Sequence, residues 1–205
     1  MNKKLVIIGA GGHGRVCADI ADQMNKYDEI CFLDDRDEAD VNSEFPIIGR
    51  CDEFNKWINA AELFVGIGDA KIRQDYLNQI KEKEGIITTL IHPNAVIGGN
   101  VIISYGTAVM AGVVINTGSR IGQGVILNTC CSVDHDSMIE DYAHVSVGAH
   151  LAGTVKIGKN TMIGAGATVI NNVRICENCM IGAGAVVRRD ILEEGTYVGV
   201  PAKRI

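Results

Sequence analysis

From Ile97 onward an aliphatic side chain returns at every sixth position without a miss, through Ile103, Val109, Ile115, Ile121, Leu127, Val133, Ile139, Val145, Leu151, Ile157, Ile163, Val169, Ile175 and Ile181 to Val187. Two residues before each of these the side chain is small or β-branched (Ala95, Thr107, Val113, Ser119, Cys131, Ala143, Ala185), which fits a short strand whose alternate residues enter one interior. Three residues after it Gly or Asn recurs (Asn100, Gly106, Gly118, Gly148, Asn160, Asn178), the residue types that tolerate the positive φ of a tight corner. Strand and corner in a hexapeptide period predict a parallel β-helix. With three such units to a triangular coil, residues about 18 apart stack on one face.

The outward strand positions then sort into three faces. The first reads Val96, Val114, Ser132, His150, Thr168, Val186; the second Ile102, Arg120, Met138, Lys156, Arg174; the third Ala108, Ile126, His144, Met162, Met180. Only the second has a polar character. The apolar third face calls for cover, and a second subunit is the expected source.

Before residue 86 the pattern is different. "KLVIIG", "EICFLDD" and "AELFVGIG" read as buried strands, alternating with helical spacing in "GRVCADIADQM" and "DAKIRQDYLNQIKEKEG". Strands alternating with helices predict a small Rossmann-like layer around a parallel sheet. The expected organisation is an α/β domain over 1–85 and a β-helix with a C-terminal tail over 86–205.

Composition narrows the partners. Lys and Arg number 19 against 25 Asp and Glu, a net charge of −6 with no basic cluster, so nucleic acid is not expected. The apolar run at the N-terminus is broken by glycines well short of the roughly 18 residues a membrane span needs. Seven irregularly spaced cysteines read as buried thiols of a reducing, cytoplasmic compartment. "CENC" at 176–179 has no second ligand pair, so no metal is expected.

Chemistry concentrates in two places. "GAGGHG" at 9–14 fits GxGxxG, with an Asp at the end of a strand about twenty residues on, as in nucleotide sites where glycine-rich backbone at a helix N-terminus takes phosphate. A nucleotide-sugar suits so short a domain better than a dinucleotide; a polar turn after the strand is the alternative for Asp34 and Asp35. "NTCCSVDHDSMIEDYAHVSVGAH" at 128–150 carries His135, His144 and His150. His135 falls at a corner, stacked with Gly99, Thr117, Gly153 and Asn171, and lies between Asp134 and Asp136. A base oriented by a carboxylate and a solvated corner histidine both fit that placement. His144 is mid-strand on the apolar third face and reads equally as an interface residue. His150 and His92 read as structural.

The unbroken hexapeptides, with "GAGGHG", "FLDD", "GIG", "VDHD", "AHVSVGAHLAGTVKIG" and the terminal "VGVPAKRI" in order, resemble the left-handed β-helix acyltransferases. They resemble in particular the family of sialic acid O-acetyltransferases and UDP-4-amino-sugar N-acetyltransferases of the bacillosamine pathway. The resemblance implies the left hand of the helix and acetyl-CoA as acyl donor. It also implies His135 as general base and Asp136, where a relative carries Glu, as its orienting carboxylate. It places donor contacts at His144, Ala165 and Ala183, and nucleotide-sugar contacts at Gly11, Gly12, His13, Asp34, Asp35 and Gly68. A backbone N–H at Gly153 or the adjacent corner is the expected donor to the thioester oxygen. Because His135 and His144 occupy opposite parts of a coil, a site using both requires two chains, and a homotrimer with three shared sites is expected.

The expected activity is acetyl transfer from acetyl-CoA to the 4-amino group of a nucleotide-linked deoxysugar by direct attack. Alternatives are O-acetylation of a sialic acid or another sugar hydroxyl, a non-catalytic scaffold with a nucleotide-sensing domain, and a covalent route through Cys130 or Cys131. The inward phase of Cys131 speaks against the last.

Overall fold

The computed structural model describes residues 3–36 and 42–205, which fall into two compact units, Met1–Pro93 and Asn94–Ile205. The first unit thus runs past the change of pattern at residue 86, to Pro93. Ile87 bridges Leu63 and the Thr88 N–H donates to the Leu63 carbonyl, which ties this stretch to the small sheet.

In the first unit three parallel strands, β1 (Lys4–Ile8), β2 (Glu29–Leu33) and β3 (Glu62–Val65), pair in the order β2, β1, β3. Leu5, Val6, Ile7 and Ile8 are wholly buried, as a central strand covered on both faces requires. Helix α1 (Gly12–Gln23) follows β1, and α2 (Ala70–Glu82) follows β3. A 3₁₀ helix at Cys51–Trp57, not foreseen in the sequence, lies between β2 and β3. The chain leaves β1 to one side for β2 and returns to the other for β3, so the order reverses beside β1. Crevices open at the carboxyl ends of parallel strands at such a reversal.

The second unit is a parallel β-helix built mostly of two-residue strands, ending in the antiparallel pair Gly195–Val198 and Lys203–Arg204. Its registers join residues 18 apart, such as Ser132 with His150 and His144 with Met162, and all three predicted faces form. Phase decides burial: Val133, Val145, Ile157 and Ile163 are wholly buried, and so are the small residues two places earlier, Cys131, Ala143, Val155 and Thr161. The corner rule is stricter than composition revealed. Cys130, Asp136, Tyr142 and Thr154 hold positive φ just as the corner glycines and asparagines do, although Tyr and Thr rarely adopt it.

The third face departs from expectation. Ala108 and Ile126 are already buried within the chain, and only its later part stays open, with His144 and Met162 half-buried and Met180 at 42% exposure. Among the described residues no helix is long and apolar enough to cross a membrane.

Candidate active site

The carboxyl ends of β1, β2 and β3 carry Gly9, Asp34 and Gly66, and a cleft of about 400 Å³ opens over them. Its lining includes Gly11, Gly12, His13, Asp34, Asp35 and Gly68, so all six predicted nucleotide-sugar residues come together. Their convergence needs close packing beneath. A Cβ on Gly14 would lie 1.9 Å from the Gly9 carbonyl oxygen, so only glycine lets α1 start this near to β1. Gly11 caps α1 without any side-chain hydrogen bond, which leaves the first turn of the helix to backbone amides alone.

The two aspartates differ. Asp34 is buried, and its carboxylate accepts from the Ala10 N–H at 2.6 Å, the Arg36 N–H at 3.0 Å and the Arg36 guanidinium at 2.8 and 3.0 Å. Hydrogen bonding to Arg36 holds its pKa down at about 2. With its oxygens thus engaged, Asp34 fastens the Gly9–Ala10 turn to the end of β2, and no capacity is left for a ligand. Asp35 is exposed, accepts from the Cys51 N–H at 3.2 Å, and has Arg50 at 3.5 Å. Of the pair it is the one whose carboxylate is open to solvent.

In the β-helix, His135 stands at the corner after the strand Ser132–Val133. Its N–H donates to Asp134 Oδ1 at 2.8 Å, and Asp134 in turn accepts from Asn116 Nδ2. Its Nδ1 lies 2.9 Å from Asp136 Oδ2. Asp136 is the left-handed residue of this corner, with φ of 56°, which turns the carboxylate back to its neighbour. The resulting hydrogen bond, together with the nearby negative charges, raises the pKa of His135 above the ordinary histidine value. When the ring is neutral, Asp136 holds the proton on Nδ1 and Nε2 presents a lone pair.

That Nε2 edge rests on Gly153, one coil further on. A Cβ there would lie 2.4 Å from Nε2 and 2.7 Å from Cε1, so the missing side chain is what seats the ring. Gly153 N–H has no acceptor among the described residues. An exposed imidazole and an unpaired amide therefore stand side by side, and acyl transfer can use two such groups.

His144 sits on the third face, its Nε2 3.2 Å from Asn128 Nδ2, and on a different edge from His135. Ala165 and Ala183 are exposed and stack at the corner after that face, the Gly184 N–H donating to the Ala165 carbonyl at 2.9 Å. The same edge continues to Val147, half exposed, whose carbonyl accepts from Gly166 N–H. Its place on this edge follows from the 18-residue register of 147, 165 and 183. One chain thus groups His144, Ala165 and Ala183, the positions expected to meet the donor, along one edge and His135 with Gly153 along another.

Cys131 is wholly buried and its thiol is pushed up to about 12, which leaves it unfit as a nucleophile. The sequence reading passed over Arg73 in α2, which is 1% exposed. A signal was present: Arg73, Leu77 and Ile80 recur at the spacing of one helix face, and the neighbouring Ile72 is turned out to solvent instead.

Known proteins share this architecture. Residues 4–80 match the model of the PglD N-terminal domain, and residues 154–189 match the bacterial transferase hexapeptide model of six repeats. The UDP-N-acetylbacillosamine N-acetyltransferase of Bacillus subtilis (strain 168) is 31% identical over 112 residues, and the match spans about half of each chain, 53% of this one and 52% of that one. The acetyltransferase domain of PglB from Neisseria gonorrhoeae FA1090, solved in complex with acetyl coenzyme A, is 40% identical over 100% of both chains with a TM-score of 0.92. PerB from Caulobacter crescentus, solved with CoA and GDP-perosamine, is 35% identical over 98% of this chain and 97% of that one, with a TM-score of 0.90. The chain therefore belongs to the family of hexapeptide-repeat sugar acetyltransferases that carry a PglD N-terminal domain.

Proposed function

We propose that this protein transfers an acetyl group from acetyl-CoA to the 4-amino group of a nucleotide-linked amino-deoxysugar. The observation that carries the reading is the His135–Asp136 pair at a corner, its Nε2 seated on Gly153 and open to a substrate. His135 Nε2 removes the proton as the amine attacks the thioester carbonyl. Asp136 keeps the ring in the productive tautomer and stabilises the imidazolium that forms. The Gly153 N–H takes the developing oxyanion. The tetrahedral intermediate then collapses, the C–S bond breaks, and the thiolate of CoA leaves and is protonated.

The nucleotide end belongs to the cleft of the first unit, with its phosphates on the amides of Gly11, Gly12 and His13 and its ribose on Asp35. The donor lies along the edge of His144, Ala165 and Ala183. In a homotrimer, His135 of one chain meets that edge of the next, and what stays open on the third face is covered there. Acetyl-CoA in the complex of the PglB domain and GDP-perosamine in that of PerB support the two substrate classes. Seven free thiols and the lack of a membrane-crossing helix among the described residues fit a cytoplasmic enzyme.

The test is a panel of UDP-, dTDP- and GDP-linked 4-amino-sugars and their 4-hydroxy counterparts with acetyl-CoA, followed by thiol release. Turnover of an amino-sugar and not of its hydroxy counterpart is expected. Turnover of the hydroxy-sugars or a sialic acid alone would replace N- by O-acetylation. No turnover with any acceptor would sink the enzymatic reading.

A further inference from the structure

Arg73 is the largest wholly buried side chain in the first unit, and a guanidinium keeps its charge even there. Such a group is costly to bury unless its donors are satisfied. Its Nη1 donates to two successive carbonyls, Ile67 at 2.9 Å and Gly68 at 2.8 Å, in the turn between β3 and α2. Gly66, Ile67 and Gly68 line the nucleotide cleft, and Arg73 does not. The guanidinium therefore holds this turn from behind.

Peptide planarity gives that hold a direction. In a trans peptide the C=O and the following N–H point opposite ways. With the carbonyls of Ile67 and Gly68 drawn to Arg73, the N–H groups of Gly68 and Asp69 turn away from it, and Gly68 itself lines the cleft. Neither amide has an acceptor among the described residues. A Cβ on Gly68 would meet nothing within 4 Å, so the space in front of the turn is free.

We infer that Arg73 is a positioning residue for the acceptor substrate, fixing the turn after β3 so that the amides of Gly68 and Asp69 face the diphosphate of a nucleotide-sugar. This rests on the nucleotide-sugar reading of the cleft. Lysine keeps the charge but replaces a planar fork by a single ammonium, and glutamine keeps one donor group and loses the charge.

The experiment uses the full chain as Arg73→Lys and Arg73→Gln, with UDP, GDP and dTDP as calorimetric probes and steady-state kinetics on the accepted amino-sugar. Arg73→Gln is expected to weaken the preferred nucleoside diphosphate about tenfold or more, and to raise KM for the amino-sugar in parallel. Arg73→Lys is expected to fall between it and the parent, and KM for acetyl-CoA to stay within about twofold. Parent-like binding of the diphosphate by both variants would overturn the inference while leaving the reading of the cleft intact. Parallel loss of acetyl-CoA affinity with a lowered unfolding midpoint would mark Arg73 as merely structural and overturn it too. A parent chain that binds none of the three probes would overturn the reading of the cleft and this inference with it.

Discussion

Substituting Gly153 by Ala tests the seat of the His135 ring, the proposed base, without touching the ring itself. The added Cβ would lie 2.4 Å from His135 Nε2, 2.7 Å from Cε1 and 3.0 Å from Cδ2. Favourable heavy-atom contacts begin near 3.5 Å, so the imidazole must retreat by about 1 Å. It is free to do so, since its side chain is half exposed, but retreat stretches the 2.9 Å bond to Asp136. A misplacement of about 1 Å costs on the order of 100-fold in rate, or about 2.7 kcal/mol of barrier. The backbone at Gly153 is not left-handed, so Ala fits the chain there, and the N–H proposed for the oxyanion is retained. Expected, then, is a kcat/KM lower by about 100-fold with an unchanged unfolding midpoint. Gly99→Ala is the control, because it occupies the same stack three coils away and its Cβ would meet only Thr117 Oγ1 at 4.0 Å. It should retain parent activity. If Gly153→Ala lost less than threefold, the ring would not be acting from this seat, and the base would have to be sought elsewhere.

His135→Ala should lower kcat/KM by about 100-fold or more and leave the fold and acetyl-CoA binding intact; a loss below about tenfold contradicts general-base catalysis. The raised pKa of His135 places the acidic limb of the pH–rate profile above the ordinary histidine value, since activity requires the neutral ring and grows as pH rises through that pKa. Asp136→Asn removes the group that raises it, so the limb should move to lower pH while the plateau falls; a limb that stays put would dissociate the pair. Asp34 and Asp35 should separate. The depressed pKa of Asp34 stabilises the fold above its unfolded value near 3.8, and that contribution fades as pH falls through about 2. Asp34→Ala should thus cost about 2 kcal/mol at neutral pH in denaturant titration, whereas Asp35→Ala should leave stability alone and raise KM for the nucleotide-sugar only. Co-refolding His135→Ala with His144→Ala should restore about a quarter of the sites, because random mixing pairs two intact contributions in that proportion. Verified mixed trimers with no recovery would show that one chain supplies both histidines.

The β-helix was legible because its physics is local and repeated. An inward aliphatic every sixth residue admits one register, and the stack of His135 on Gly153 follows by counting. What counting could not supply was conformation at the exceptions. Asp136 gave no glycine signal, yet it takes the corner's left-handed φ, and the bond to His135 depends on that turn. In the α/β unit the glycines and strand ends located the cleft, but two adjacent aspartates look alike in a sequence. Only the bonds from Ala10 and Arg36 tell the fastening Asp34 from the open Asp35. Ala108 and Ile126 read as outward by phase, and they are; burial by the rest of the chain is invisible to a periodicity.

The strict phase of the coil also governs how this chain can change in length. Inserting one residue between Ile97 and Val187 would turn every later inward aliphatic outward, the outcome of a register slip in any strand. Inserting six would preserve the interior but advance each later strand to the next face, carrying the His144 edge away from its present side. Only whole coils, or loops bulging from a corner, leave everything downstream in place. The His135–Asp136 pair occupies two regular positions of an ordinary coil, so such chemistry can be gained or lost in this scaffold by point substitution, with no insertion and no rearrangement of the backbone.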